Sequence, residues 1–83
     1  MLTVKMRQYS FSPELLERLR KRARLTQIEL AAQVELSQSA ISHYEKGHRE
    51  PDTDALKKLG KFFQVYFVAD WGGVFTEEND PLD

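Results

Sequence analysis

The sequence predicts an all-α domain, a compact bundle of four or five helices with room for short β segments at its N- and C-termini. Three observations carry that prediction. Apolar residues recur at helical spacing in four successive segments, and each segment follows a helix-capping residue: Ser12, Thr26, Ser37 and Asp52. The links between these segments are only a few residues long. A chain of 83 residues with 41% hydrophobic content can bury one modest core, which bounds the architecture to a single small domain.

The elements follow in order. Met1 to Phe11 alternate loosely in β-favourable fashion (Val4 and Met6, with Tyr9 and Phe11 nearby) and read as an N-terminal extension, residues 1–11. Ser12-Pro13-Glu14 then combines a serine cap, a proline at the first helical position and an acid in the first turn. The first helix is expected over Pro13 to Ala23, with Leu15, Leu16, Leu19 and Ala23 on one face. Thr26 and Glu29 have capping-box spacing, so each side chain satisfies a backbone N–H that the helix start leaves unpaired. The second helix follows to about Gln33, with Leu30, Ala31 and Val34 as a narrow apolar stripe.

Glu35-Leu36 breaks the period and Ser37 caps again. Ala40, Ile41 and Tyr44 then give the third helix an inward face up to Gly47. Gly47 to Pro51 is a turn by composition, and Asp52 caps a fourth helix carrying Leu56, Leu59 and Phe63. Gly60 inside that helix implies a close helix contact. Val65 to Trp71, VYFVADW, is rich in β-branched and aromatic residues. It reads either as a short fifth helix or as a strand pairing with the N-terminal segment or a two-fold mate. The helical domain is thus expected over residues 12–71, followed by an acidic tail, residues 72–83.

The formal net charge is −1, but it is unevenly spread: Asp70, Glu77, Glu78, Asp80 and Asp83 hold five of the 13 acids with no base among them. Setting those five aside leaves 8 acids against 12 Lys and Arg residues, a body of charge +4. Absence of cysteine excludes disulfides, thiol nucleophiles and cysteine-ligated zinc. No apolar run approaches the roughly 18 residues a membrane span needs, and MLTVKMRQYS lacks an export signal, so a cytoplasmic protein is expected.

The spacing TQ-x-ELA, then S-x-x-x-IS-x-x-E-x-G, then a proline four residues after the glycine, resembles the helix-turn-helix domain of the phage repressor and Cro class, the XRE family. The resemblance covers about Leu15 to Phe67 and implies a lambda-repressor-like bundle. In it the second helix lies across the DNA backbone and the third sits in the major groove. By position it implies that Gln38, Ser39, Ser42 and His43 meet base edges, with Gln38 able to donate to and accept from adenine together. It likewise implies phosphate contacts from Gln27, Lys46, His48 and Arg49. Arg24 joins them because the end of the first helix lies beside the start of the second. Arg20 and Glu45 fall where the family often has a structural ion pair. One departure stands out: Glu35 occupies the turn position where the family usually has glycine, and a left-handed conformation there would strain it by about 1 kcal/mol.

Other chemistries are weighed and set aside. His43 and His48 are five apart, which on a continuous helix puts them on different sides, so no metal site is expected. Ser42 and His43 are adjacent and would point about 100° apart on a helix, so they cannot serve as nucleophile and base. No enzyme activity and no cofactor are expected. The aromatics near the end exceed what so small a core can hold, which predicts a dimerisation surface of Phe63, Tyr66, Phe67 and Trp71. The expected function is a sequence-specific DNA-binding transcriptional regulator, a repressor, binding double-stranded operator DNA as a homodimer through the third helix. The alternative is a protein-interaction module, such as the antitoxin of a toxin-antitoxin pair, whose partner is a toxin or a regulator. The acidic tail and aromatic C-terminal segment support that alternative.

Overall fold

The computed structural model describes residues 7–68. In chain order these form β1 (Arg7–Ser10), α1 (Pro13–Arg22), α2 (Gln27–Val34), α3 (Gln38–Lys46), α4 (Thr53–Phe63) and β2 (Val65–Val68). None of these helices is long and apolar enough to cross a membrane.

Each helix starts where a side chain accepts a hydrogen bond from an otherwise unpaired backbone N–H. Ser12 Oγ accepts from Leu15 N at 3.0 Å, Ser37 Oγ from Ala40 N at 3.0 Å and Asp52 Oδ1 from Ala55 N at 2.8 Å. At α2 the box is reciprocal: Thr26 Oγ1 accepts from Glu29 N at 3.1 Å, and Glu29 Oε1 from Thr26 N at 2.8 Å. Such a cap contributes about 1 kcal/mol, which matters in helices too short to be stable alone.

The helices end on left-handed residues, where a positive φ stops the ladder and turns the chain. Gly47 does so after α3 at φ +75°, at no steric cost. Glu35 ends α2 at φ +58° and ψ +43°, so this turn keeps its left-handed geometry without glycine. Gln64 ends α4 at φ +60°, and Arg24 in the link between α1 and α2 is at φ +61°. Glu35→Gly is therefore expected to raise stability by up to about 1 kcal/mol, the relief of left-handed strain less the extra chain entropy glycine loses. Glu35→Val should lower it, and urea unfolding of both variants checks the sign.

Among the described residues a fifth helix is not formed. Gln64 terminates α4, and Val65 to Val68 run as β2, parallel to β1 in the register Arg7↔Val65 to Ser10↔Val68. Of the two alternatives for VYFVADW, the strand is the one found over its described part, Val65–Val68. Its partner is the N-terminal segment, and Phe11 N extends the ladder to Val68 O at 2.9 Å. Parallel neighbours need a long crossover connection, and the four helices between the strands supply it.

This strand also explains Gly60. The neighbour requiring a small residue there is not another helix, as expected, but β2: a Cβ on Gly60 would stand 2.6 Å from the Val65 carbonyl oxygen.

The core gathers Leu16, Leu30, Ile41, Leu56, Leu59 and Phe67, all at most 2% exposed. Phe67 corrects one expectation. It is 0% exposed and meets Phe11 edge to face at a centroid distance of 5.5 Å, so it is interior and not on a free aromatic surface. Alternation along β2 turns Val65 and Phe67 inward. Phe63 and Tyr66 are half-buried, and Phe62, at 36%, is the exposed member of an edge-to-face pair with Phe63. Trp71, also expected at the dimer surface, and the acidic tail lie outside the described residues.

Candidate nucleic-acid interface

The α2–turn–α3 unit is fixed from beneath. Leu30, Ala31 and Val34 of α2 and Ala40, Ile41 and Tyr44 of α3 are buried, so two apolar stripes lock the pair onto the core. Their opposite faces are thereby committed to solvent. On α3 that face carries Gln38, Ser39, His43 and Lys46, all exposed, with Ser42 half-buried among them. No acid lies in the first turn of α3, while His43 and Lys46 occupy its last. His48 and Arg49 continue the exposed surface past Gly47, and Arg24 is exposed in the link before α2.

Behind this face lies a chain of hydrogen bonds linking three helices. The Arg20 guanidinium grips Glu45 with two parallel bonds, Nε to Oε2 at 2.6 Å and Nη2 to Oε1 at 3.0 Å. Its Nη1 donates to the Leu25 carbonyl at 2.8 Å. These side chains are 11% and 5% exposed. The hydrogen bond to Glu45 holds the Arg20 guanidinium above its usual range, against the opposing effect of burial. Glu45 Oε1 accepts a further bond from Gln27 Nε2 at 3.0 Å, and Gln27 Oε1 in turn accepts from Gln38 Nε2 at 3.0 Å. The structure thus brings together Arg20 with Glu45 and Gln27 with Gln38.

Sequence reasoning missed the last two bonds. It gave Gln27 to phosphate and Gln38 to bases separately, and nothing in their spacing marks them as partners. It also misjudged the histidines. Because Gly47 reverses the chain, and His48 N donates to His43 O at 2.9 Å, the two rings stand only 6.2 Å apart between centroids. Among the described residues, no three His, Cys, Asp or Glu side chains come together as a metal site would require.

Comparison with known proteins agrees with this geometry. The chain matches the family described as Helix-turn-helix over residues 16–68, from the middle of α1 to the end of β2. It is 44% identical over 52 residues to the HTH-type transcriptional activator BcrR of Enterococcus faecalis, covering 63% of this chain and 26% of that protein. It is 38% identical over 50 residues to the HTH-type transcriptional regulator ImmR of Bacillus subtilis (strain 168), covering 60% of this chain and 39% of that protein. The match therefore takes in well under half the length of either relative. With two capped helices joined by a left-handed turn, and the family match spanning α2 and α3 entire, the chain belongs to the XRE family of helix-turn-helix proteins.

Proposed function

We propose that the chain is a sequence-specific DNA-binding transcription regulator that inserts α3 into the major groove of an operator. The observation that carries this reading is the outer face of α3. It is exposed and acid-free, anchored from below by three buried residues and flanked by basic groups. Gln38, Ser39, Ser42 and His43 meet base edges, and Arg24, Lys46, His48 and Arg49 meet phosphates. Gln27 retains one N–H beyond its bond to Glu45, and at the N-terminus of α2 that donor faces phosphate. The names of the two relatives, an activator and a regulator, support a role in transcription without choosing its sign.

The working form is a dimer, because two recognition helices about 34 Å apart read half-sites one helical turn apart. Phe62 and Phe63 at the end of α4, with the half-buried Tyr66 of β2, offer an aromatic surface for that association among the described residues. Sedimentation equilibrium tests it, and a monomer at micromolar concentration in the presence of operator would count against it.

Selection from random duplexes followed by titration tests the reading itself. Gln38→Ala should relax preference at one base position by about 1–3 kcal/mol. Lys46→Ala should weaken every duplex alike and lower the salt slope by about one. No sequence bound above random DNA in moderate salt would reject the proposal. Isolation of a stable heteromeric complex in which the α3 face is covered by protein would favour the interaction-module alternative.

A further inference from the structure

We infer that the acidic segment 70–83 of this chain docks on the basic corner at the end of α3 and competes there with DNA phosphates. The competition rests on that corner meeting phosphates, as proposed above; the docking itself does not.

Two links assemble the corner. Lys46, His48 and Arg49 are exposed around Gly47, where α3 ends. Arg24 is exposed in the link before α2, and Arg20 ties that link to the end of α3 by bonding the Leu25 carbonyl and Glu45 together. The charge of Arg20 is met by Glu45, but among the described residues none of Arg24, Lys46 and Arg49 is in an ion pair. Glu50 is the one acid among residues 46–50. The corner therefore keeps an excess of positive charge.

The chain leaves the body beside these cations. Val68 O accepts a hydrogen bond from Phe11 N at 2.9 Å, so β2 ends next to the segment that starts α1. Phe11 is two residues, at most about 7 Å, from Pro13. Pro13 packs on the end of α3, with its Cγ 3.6 Å from where a Cβ on Gly47 would stand. Beyond Val68 the sequence carries Asp70, Glu77, Glu78, Asp80 and Asp83 and no base. Glu77 is nine residues on, a reach of up to about 30 Å. Acids without a basic neighbour thus start from the side of the molecule where the unpaired cations lie.

Lys and Arg hold carboxylates and phosphates through the same charge-assisted bonds, so a surface that takes one takes the other. A single exposed ion pair contributes little. A short tether, however, holds the acids at millimolar effective concentration, where several weak pairs act together. DNA that engages the corner must displace the segment, and its apparent affinity falls by the fraction of chains whose corner is free. Salt screens the exposed pairs, so the effect is largest at low ionic strength.

The test compares the full chain with the variant Glu77→Gln/Glu78→Gln/Asp80→Asn/Asp83→Asn, which leaves every described residue in place. Without DNA at low salt, backbone amide shifts should differ between the two at Lys46 to Arg49 and at Arg24. The differences should survive tenfold dilution and vanish at about 0.5 M salt. No difference at these residues overturns the docking, and one lost on dilution means that the segment comes from a second copy, which overturns it within one chain. A double-mutant cycle with Lys46→Ala/Arg49→Ala then reads the competition on a random duplex. Neutralising the acids should raise affinity roughly 5- to 30-fold in the parent, what three or four exposed ion pairs supply together, and hardly at all in the corner variant. An equal gain in both backgrounds means that the acids act through overall charge, and the competition is overturned. If neither chain binds any duplex, the DNA-binding reading falls, and the amide shifts alone decide the docking.

Discussion

Phe67→Ala is expected to cost about 3–5 kcal/mol, most of what a domain this small has to lose. Phe67 is fully buried and sits where β2, α4 and the link after β1 meet. It lies on β2, meets the Phe11 ring edge to face and packs against the face of α4 at Gly60, with a ring carbon 3.7 Å from where a Cβ would stand there. Truncation removes the transfer free energy of the ring and leaves a cavity that cannot collapse readily. Gly60 offers no side chain to fill it, and the parallel pairing with β1 holds β2 in place. Phe62, exposed at 36%, is the control: in the monomer, at concentrations too low for association, Phe62→Ala should stay within about 0.5 kcal/mol of the parent. Thermal and urea unfolding followed by circular dichroism measure both. Equal, small effects from the two substitutions would mean that Phe67 does not hold the strands to the helices.

The contrast between these two aromatics marks where the sequence was legible and where it was not. Helix starts were readable because their signals are local: Ser12, Thr26, Ser37 and Asp52 each cap the helix their spacing predicted. The third helix's inward face was readable for the same reason, since Ala40, Ile41 and Tyr44 follow the helical period and are buried. The parallel pairing of β1 with β2 was open, because β-propensity marks a strand but not its partner, and Arg7 meets Val65 only after the four helices have packed. Once that strand docks, it takes Phe67 out of the surplus of aromatics and sets the space allowed at Gly60. Left-handed termini divided similarly. Glu35 stood out against a family pattern, whereas Arg24 and Gln64 carry no glycine or asparagine to announce their positive φ. At the candidate interface the residue types on α3 were readable from the motif. The link from Gln38 back to Glu45 was not, because three exposed-looking polar side chains become a network only when α2 and α3 pack together.

Removing Arg20 or Glu45 alone should be nearly as costly as removing Phe67, and the two removals should differ in size. Breaking a buried pair costs about 3–5 kcal/mol because the surviving charge is left uncompensated, and partial exposure of Arg20 moves both values toward the lower end. Glu45→Ala leaves a guanidinium that keeps the Leu25 carbonyl and has a long stem by which to reach water. Arg20→Ala leaves a carboxylate, 5% exposed in the parent, with only Gln27 as donor, and is expected to be the worse of the two. The double replacement Arg20→Met/Glu45→Leu keeps volume without charge and should return within about 1–2 kcal/mol of the parent, since an apolar pair avoids the desolvation that the ion pair must offset. Urea midpoints of the three variants at neutral pH decide the matter. A double replacement as unstable as Arg20→Ala would mean that the pair's charge, and not merely its matched burial, holds α1 to α3.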